Sequence, residues 1–99
     1  MAENQDNASG HYVLKLYITG QTPRSMRAVE NVRKVCDDRI PGDYALEVID
    51  IYQQPELAAR EQLLAAPTLV KHLPLPVRRL IGDMSDEGRL LAGLGLATA

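Results

Sequence analysis

The sequence predicts one small α/β domain with the element order βαβαββα. Three observations carry this. The run Tyr12-Val13-Leu14-Lys15-Leu16-Tyr17-Ile18 is rich in aromatic and β-branched residues and has the composition of a strand. An amphipathic helical repeat joins it to a second such run at 44–51, and a strand–helix–strand connection makes the two strands parallel. Further on, prolines punctuate two apolar runs between Ala66 and Asp83, which together read as an antiparallel hairpin.

Length and composition set the bounds. With 99 residues the chain has room for one modest core, and a hydrophobic content of 45% spread along it argues against disorder. Residues 1–10 read as a disordered tail and 11–99 as a single domain. The tail has neither the basic nor the apolar region of a signal peptide, and no apolar run approaches the ~20 residues of a membrane span. A lone cysteine, Cys36, cannot close an internal disulfide, so the expected location is cytoplasmic. A net charge of −2 offers no general attraction to nucleic acid or to an anionic membrane. The absence of Trp and Phe leaves few surfaces on which single strands could stack.

The elements follow in order. The even positions of the first strand, Tyr12, Leu14, Leu16 and Ile18, are all apolar, and Lys15 lies among Val13 and Tyr17 on the other side. That pattern suits a central strand covered on both faces. Thr22-Pro23 starts a helix, since Thr caps and proline at the first position gives up an amide that would be unpaired anyway. Met26, Val29, Val32, Val35 and Cys36 supply its apolar stripe, opposite Arg24, Arg27, Glu30, Arg33 and Lys34. Arg39-Ile40-Pro41-Gly42-Asp43 ends it, and the second strand runs over 44–51. Gln54-Pro55-Glu56 then opens a second helix expected over 57–65.

The hairpin begins after Pro67, at about Thr68, and Ala66-Pro67 is a bond where a cis peptide costs little. Pro74 and Pro76 force an extended corner before the strand 77–81, and Gly82-Asp83 stops that strand. Ser85-Asp86-Glu87 sets a capping hydroxyl and two acids at the start of a last helix, with Leu90, Leu91 and Leu94 as its apolar face. A hairpin introduced by Ala-Pro-Thr resembles the second half of a thioredoxin-like domain.

Active thioredoxin-like enzymes would carry a Cys-x-x-Cys pair between the first strand and the first helix, where the helix N-terminus lowers a thiol pKa. Here that turn reads Thr19-Gly20-Gln21-Thr22-Pro23-Arg24-Ser25, with no sulfur. Cys36 sits late in the helix on its apolar stripe, where a core thiol is expected. His11 and His72 lack a partner at metal-ligand spacing, and the glycines do not form a phosphate-binding loop. Asp83, Asp86 and Glu87 are accounted for by turn and cap roles. No catalytic, metal or cofactor site is expected. Lys15, Arg27, Lys71, Arg78 and Arg79 offer a basic patch on an acidic molecule, which is either a solvated face or a docking surface for an acidic partner.

The blocks Tyr12 to Tyr17, Gly20, Thr22-Pro23, Tyr44-Ala45-Leu46, Val48-Ile49-Asp50, Ala66-Pro67-Thr68-Leu69, and Leu73-Pro74-x-Pro76-Val77-Arg78-Arg79-x-Ile81-Gly82-Asp83 together closely resemble the KaiB family of circadian clock proteins. The resemblance implies a non-catalytic timing protein that binds the ring-shaped ATPase KaiC, captures KaiA, and displaces the thioredoxin-like sensor domain of the kinase SasA. It also implies a metamorphic chain, with a tetrameric resting form of order βαββααβ and a monomeric, thioredoxin-like partner-binding form of order βαβαββα. Carried over residue by residue, it assigns partner docking to Arg27, Ala45, Glu47, Lys71, Arg78 and Arg79, and fold switching to Pro67, Gly93 and Gly95.

The final segment can be read both ways. Leu90, Leu91 and Leu94 make a helical stripe, while Leu90, Ala92, Leu94 and Leu96 alternate as in a strand. Four positions depart from the family pattern: Gly95 replaces a typical Asp, Glu47 a frequent Lys, Leu75 interrupts a common proline triplet, and no long acidic tail follows. Glycine weakens a strand but caps a helix readily, so Gly95 favours the thioredoxin-like form, as a monomer or weak oligomer. Glu47 and the missing tail weigh more against KaiA binding than against KaiC binding. A stand-alone sensor domain of the SasA type, a stress-response paralogue without rhythm, and a thioredoxin-like oxidoreductase using Cys36 alone stay open beside the leading reading.

Overall fold

A computed structural model describes residues 11–56, 59 and 67–96. Strand β1 (Tyr12–Ile18) leads into helix α1 (Pro23–Arg39) and strand β2 (Tyr44–Asp50). Strands β3 (Thr68–Leu73) and β4 (Arg78–Ile81) follow, and helix α2 (Glu87–Leu94) ends the described chain. The strands form one four-stranded sheet in the order β2-β1-β3-β4. As expected of a βαβ unit, β1 and β2 are parallel, from Tyr12 opposite Tyr44 to Ile18 opposite Asp50. Both β1–β3 and β3–β4 are antiparallel. Apart from residue 59, the helix expected over 57–65 lies outside the described residues, as do the tail 1–10 and the Ala66-Pro67 bond. Within them, the peptide bonds preceding Pro74 and Pro76 are cis.

Alternation along β1 divides the core. Leu14, Leu16 and Ile18 join Ala28, Val32, Val35 and Cys36 of α1, Leu69 of β3, and Leu90, Leu91 and Leu94 of α2 in one cluster. Tyr17, Ile49 and Val70 form a second cluster on the opposite face. Burying each of the α2 leucines contributes ~1.5–3 kcal/mol, and this holds a helix of only eight residues on the sheet.

Two local expectations are corrected. Met26 is 40% exposed, and Ser25 and Ala28 are fully buried in its place. The buried side of α1 runs through Ser25 and Ala28 while Met26 turns outward, and a stripe chosen by hydrophobicity alone selects the larger neighbour. At α2 the cap is the Asp86 carboxylate, which accepts the Arg89 amide at 3.1 Å, and not the Ser85 hydroxyl. The Ser85 amide instead donates to Asp83 Oδ1 at 3.1 Å. At the other end of α2, Gly95 takes the left-handed cap conformation (φ +78°) that its freedom allows.

Candidate docking surface

Cross-strand register sorts the predicted site residues onto different faces. Lys15 on β1 is opposite Glu47 on β2 and Val70 on β3, and Val70 is opposite Arg79 on β4. Glu47, Lys15, Val70 and Arg79 therefore make one row across the sheet, on the face away from α1. Ala45 shares this face, two positions before Glu47 on the outer strand. Arg78 is opposite Lys71 and belongs to the helix-packed side of the sheet.

Arg27 lies on α1. Its Nε is 3.7 Å from Asp83 Oδ2, with the guanidinium side largely in solvent. Asn31 Nδ2 also donates to the Asp83 carbonyl at 2.9 Å, which fastens α1 to the connection before α2. The Ser85 hydrogen bond, and more weakly the nearby arginines, hold the Asp83 carboxyl below the usual carboxylate range.

Lys71 departs from its expected place on an exposed basic patch. It is 4% exposed, and its ammonium donates to the Pro74 carbonyl at 2.7 Å. Its strand position directs it under the helices, where the long side chain turns back onto the β3–β4 corner. The predicted single basic patch is thus divided. Arg27 stands on α1, Arg78 beside the corner and Arg79 on the far face, while Lys71 is buried on the helix-packed side.

That corner also carries apolar surface that the sequence reading did not count as part of the site. Leu73, Leu75 and Val77 are 46%, 72% and 51% exposed, next to exposed Arg78. The available signal was an apolar run held in a proline corner, where no core can cover it.

The positions assigned to fold switching have distinct surroundings. Pro67 is fully buried and its carbonyl accepts the Gly82 amide at 2.9 Å. A Cβ at Gly93 would stand 2.5 Å from Leu80 Cδ1, so this glycine is the point where α2 touches β4. Gly95 abuts Lys71, whose Nζ would be 3.8 Å from a Cβ there.

At the turn where thioredoxins keep their thiols, Thr22 Oγ1 accepts the Ser25 amide and donates to Ser25 Oγ, each at 3.1 Å. Asp50 Oδ1 ties the same region together by accepting the amides of Gly20 and Tyr52, each at 3.0 Å. Cys36 is far along α1, and burial, helped by Asp37, pushes its thiol up to about 11. Among the described residues no group of His, Cys, Asp or Glu is placed to hold a metal ion, and no helix is long and apolar enough to cross a membrane.

A family model described as "KaiB domain" matches residues 15–96. The chain belongs to the KaiB family. Among curated relatives, a protein named circadian clock oscillator protein KaiB from a Synechococcus species is 54% identical over 85 residues, covering 86% of this chain and 77% of the relative. One of the same name from Prochlorococcus marinus (strain MIT 9312) is 53% identical over 85 residues, covering 86% and 81%. Among solved structures, the N-terminal domain of Synechococcus elongatus SasA has a TM-score of 0.72 at 23% identity, covering all of this chain and 97% of that one. Mitochondrial thioredoxin 3 from Saccharomyces cerevisiae follows the same fold, with a TM-score of 0.69 at 15% identity over 89% of this chain and 80% of that one. This KaiB chain therefore has a thioredoxin-like fold, shared with the SasA domain.

Proposed function

We propose that this KaiB-family chain is a non-catalytic regulator that binds a KaiC-type ATPase ring and competes there with a SasA-type sensor domain. The observation that carries this reading is the pairing of KaiB sequence with the fold of the SasA N-terminal domain. Two domains of one shape can occupy one site in turn. Docking is assigned to Arg27 and Arg78 on the helix-packed side, to Arg79 and the outer-strand residues Ala45 and Glu47 on the opposite face, and to the apolar corner at Leu75 and Val77 beside Arg78. Basic groups around exposed apolar side chains suit a partner with an acidic rim, and they act more on association rate than on final affinity. The protein acts in the cytoplasm as a monomer in this form. It reaches a second form of order βαββααβ, with Pro67, Gly93 and Gly95 governing the exchange.

Size-exclusion chromatography with light scattering, on the protein alone and mixed with a KaiC-type ATPase and nucleotide, tests the proposal. The expected result is a small species that joins the ring, with joining lost on combining Arg27→Glu and Arg78→Glu and reduced by an added SasA sensor domain. A chain that joined no ring would leave the regulatory reading without support. A tetramer that joined only slowly would place the resting population in the other fold.

A further inference from the structure

The buried Lys71 is the charged group least explained by a docking role. Among the described residues its ammonium has one hydrogen-bond acceptor, the Pro74 carbonyl at 2.7 Å, and no ion pair with a carboxylate. A buried ammonium is costly without compensation. The second source of compensation is the C-terminal end of α2. Gly95 caps this helix, its amide bonding to the Leu91 and Ala92 carbonyls, and a Cβ at Gly95 would lie 3.8 Å from Lys71 Nζ. Aligned peptide dipoles place about half a negative charge at such an end.

We propose that Lys71 is a positioning residue, in which one buried ammonium straps the β3–β4 corner to the C-terminal end of α2 and makes position 95 selective for a negative charge. The inference stands on these contacts alone and is independent of any partner. The strap joins the corner that carries Leu75 and Val77 to the helix whose leucines also alternate as a strand would. Releasing it loosens both at once. An uncharged Gly95 leaves the ammonium to the helix end, whereas a carboxylate at this position would stand within ion-pair reach.

A double-mutant cycle tests this with the full chain. Gly95→Asp and Gly95→Asn share shape and tolerance of the left-handed conformation and differ in charge. With Lys71 present, the Asp variant is expected to have an unfolding equilibrium constant about fivefold lower than the Asn variant, the scale of a favourable ion pair. In the Lys71→Met background the difference is expected to vanish or reverse. Equal stability of the Asp and Asn variants with Lys71 in place would overturn the proposal, and this comparison stands even if Lys71→Met fails to fold. Amide exchange supplies the second readout. Lys71→Met should speed exchange at Leu96, whose amide bonds to the Leu91 carbonyl, at least tenfold more than within α1. Uniform acceleration of both helices would reduce Lys71 to a general contributor to stability and sink the strap.

Discussion

Gly93 of α2 and Leu80 of β4 are in such close contact that a Cβ on the glycine would fall 2.5 Å from Leu80 Cδ1 and 2.9 Å from its Cγ and Cδ2. Real side chains do not approach so closely, so Gly93→Ala must move α2 off the sheet or force Leu80 out of its rotamer. Overpacking of this kind costs ~1–3 kcal/mol. Thermal denaturation should show the loss, and combining the substitution with Leu80→Val should recover part of it.

Thr22 and Ser25 form a reciprocal pair at the start of α1. Thr22→Ala removes an amide acceptor and a hydroxyl partner together, and N-cap losses cost ~1 kcal/mol. Urea titration should report a lowered midpoint with an unchanged slope. Thr22→Asn should retain most of the stability, since its side chain caps as well.

Acid should weaken the fold in part through Asp43. His11 donates to this carboxylate from its backbone at 3.1 Å and its ring contacts it at 2.9 Å, and these bonds lower the Asp43 pKa. A carboxylate with a depressed folded pKa contributes stability that is present above its unfolded value, about 4. That contribution is lost as pH falls through the lower folded value. Asp43→Asn should flatten the acid limb of a stability–pH curve; an unaltered acid limb would show that the contact carries no linkage.

Cys36, with its thiol pushed up to about 11, should resist alkylation in the folded chain. At pH 8 the thiolate is only about one part in a thousand of such a group. Labelling by iodoacetamide should follow unfolding in denaturant. Fast labelling without denaturant, together with insulin reduction abolished by Cys36→Ser, would return the single-cysteine oxidoreductase to consideration.

Much of the fold was legible because its signals are local or strictly periodic. Strand β1, the Thr22-Pro23 start of α1, the parallel partner strand and the Gly95 cap each follow from residue type and spacing. The side chains whose place depended on helix rotation and on folding back of the chain were not legible. Ser25 and Ala28 take the buried side of α1 and Met26 turns outward, a rotation of the helix that no count of hydrophobic residues records. Lys71 looked like surface because lysine usually is. Its burial depends on a carbonyl three residues later in the chain, folded back by the corner at Pro74. The candidate site was legible as a list of residues and not as a surface: strand alternation puts Arg78 and Arg79 on opposite sides, but only register shows that Arg79 stands in line with Val70, Lys15 and Glu47.

The pair at Thr22 and Ser25 stands three residues apart, the spacing a dithiol would need, with its oxygens 3.1 Å apart. Sulfur atoms so placed can close into a bond and open again as electrons come and go. Hydroxyls can only share a proton. This turn therefore holds a permanent stitch where a dithiol would give a covalent on-off state, and an oxidant that would rewrite it in a thioredoxin leaves its bonding unchanged here.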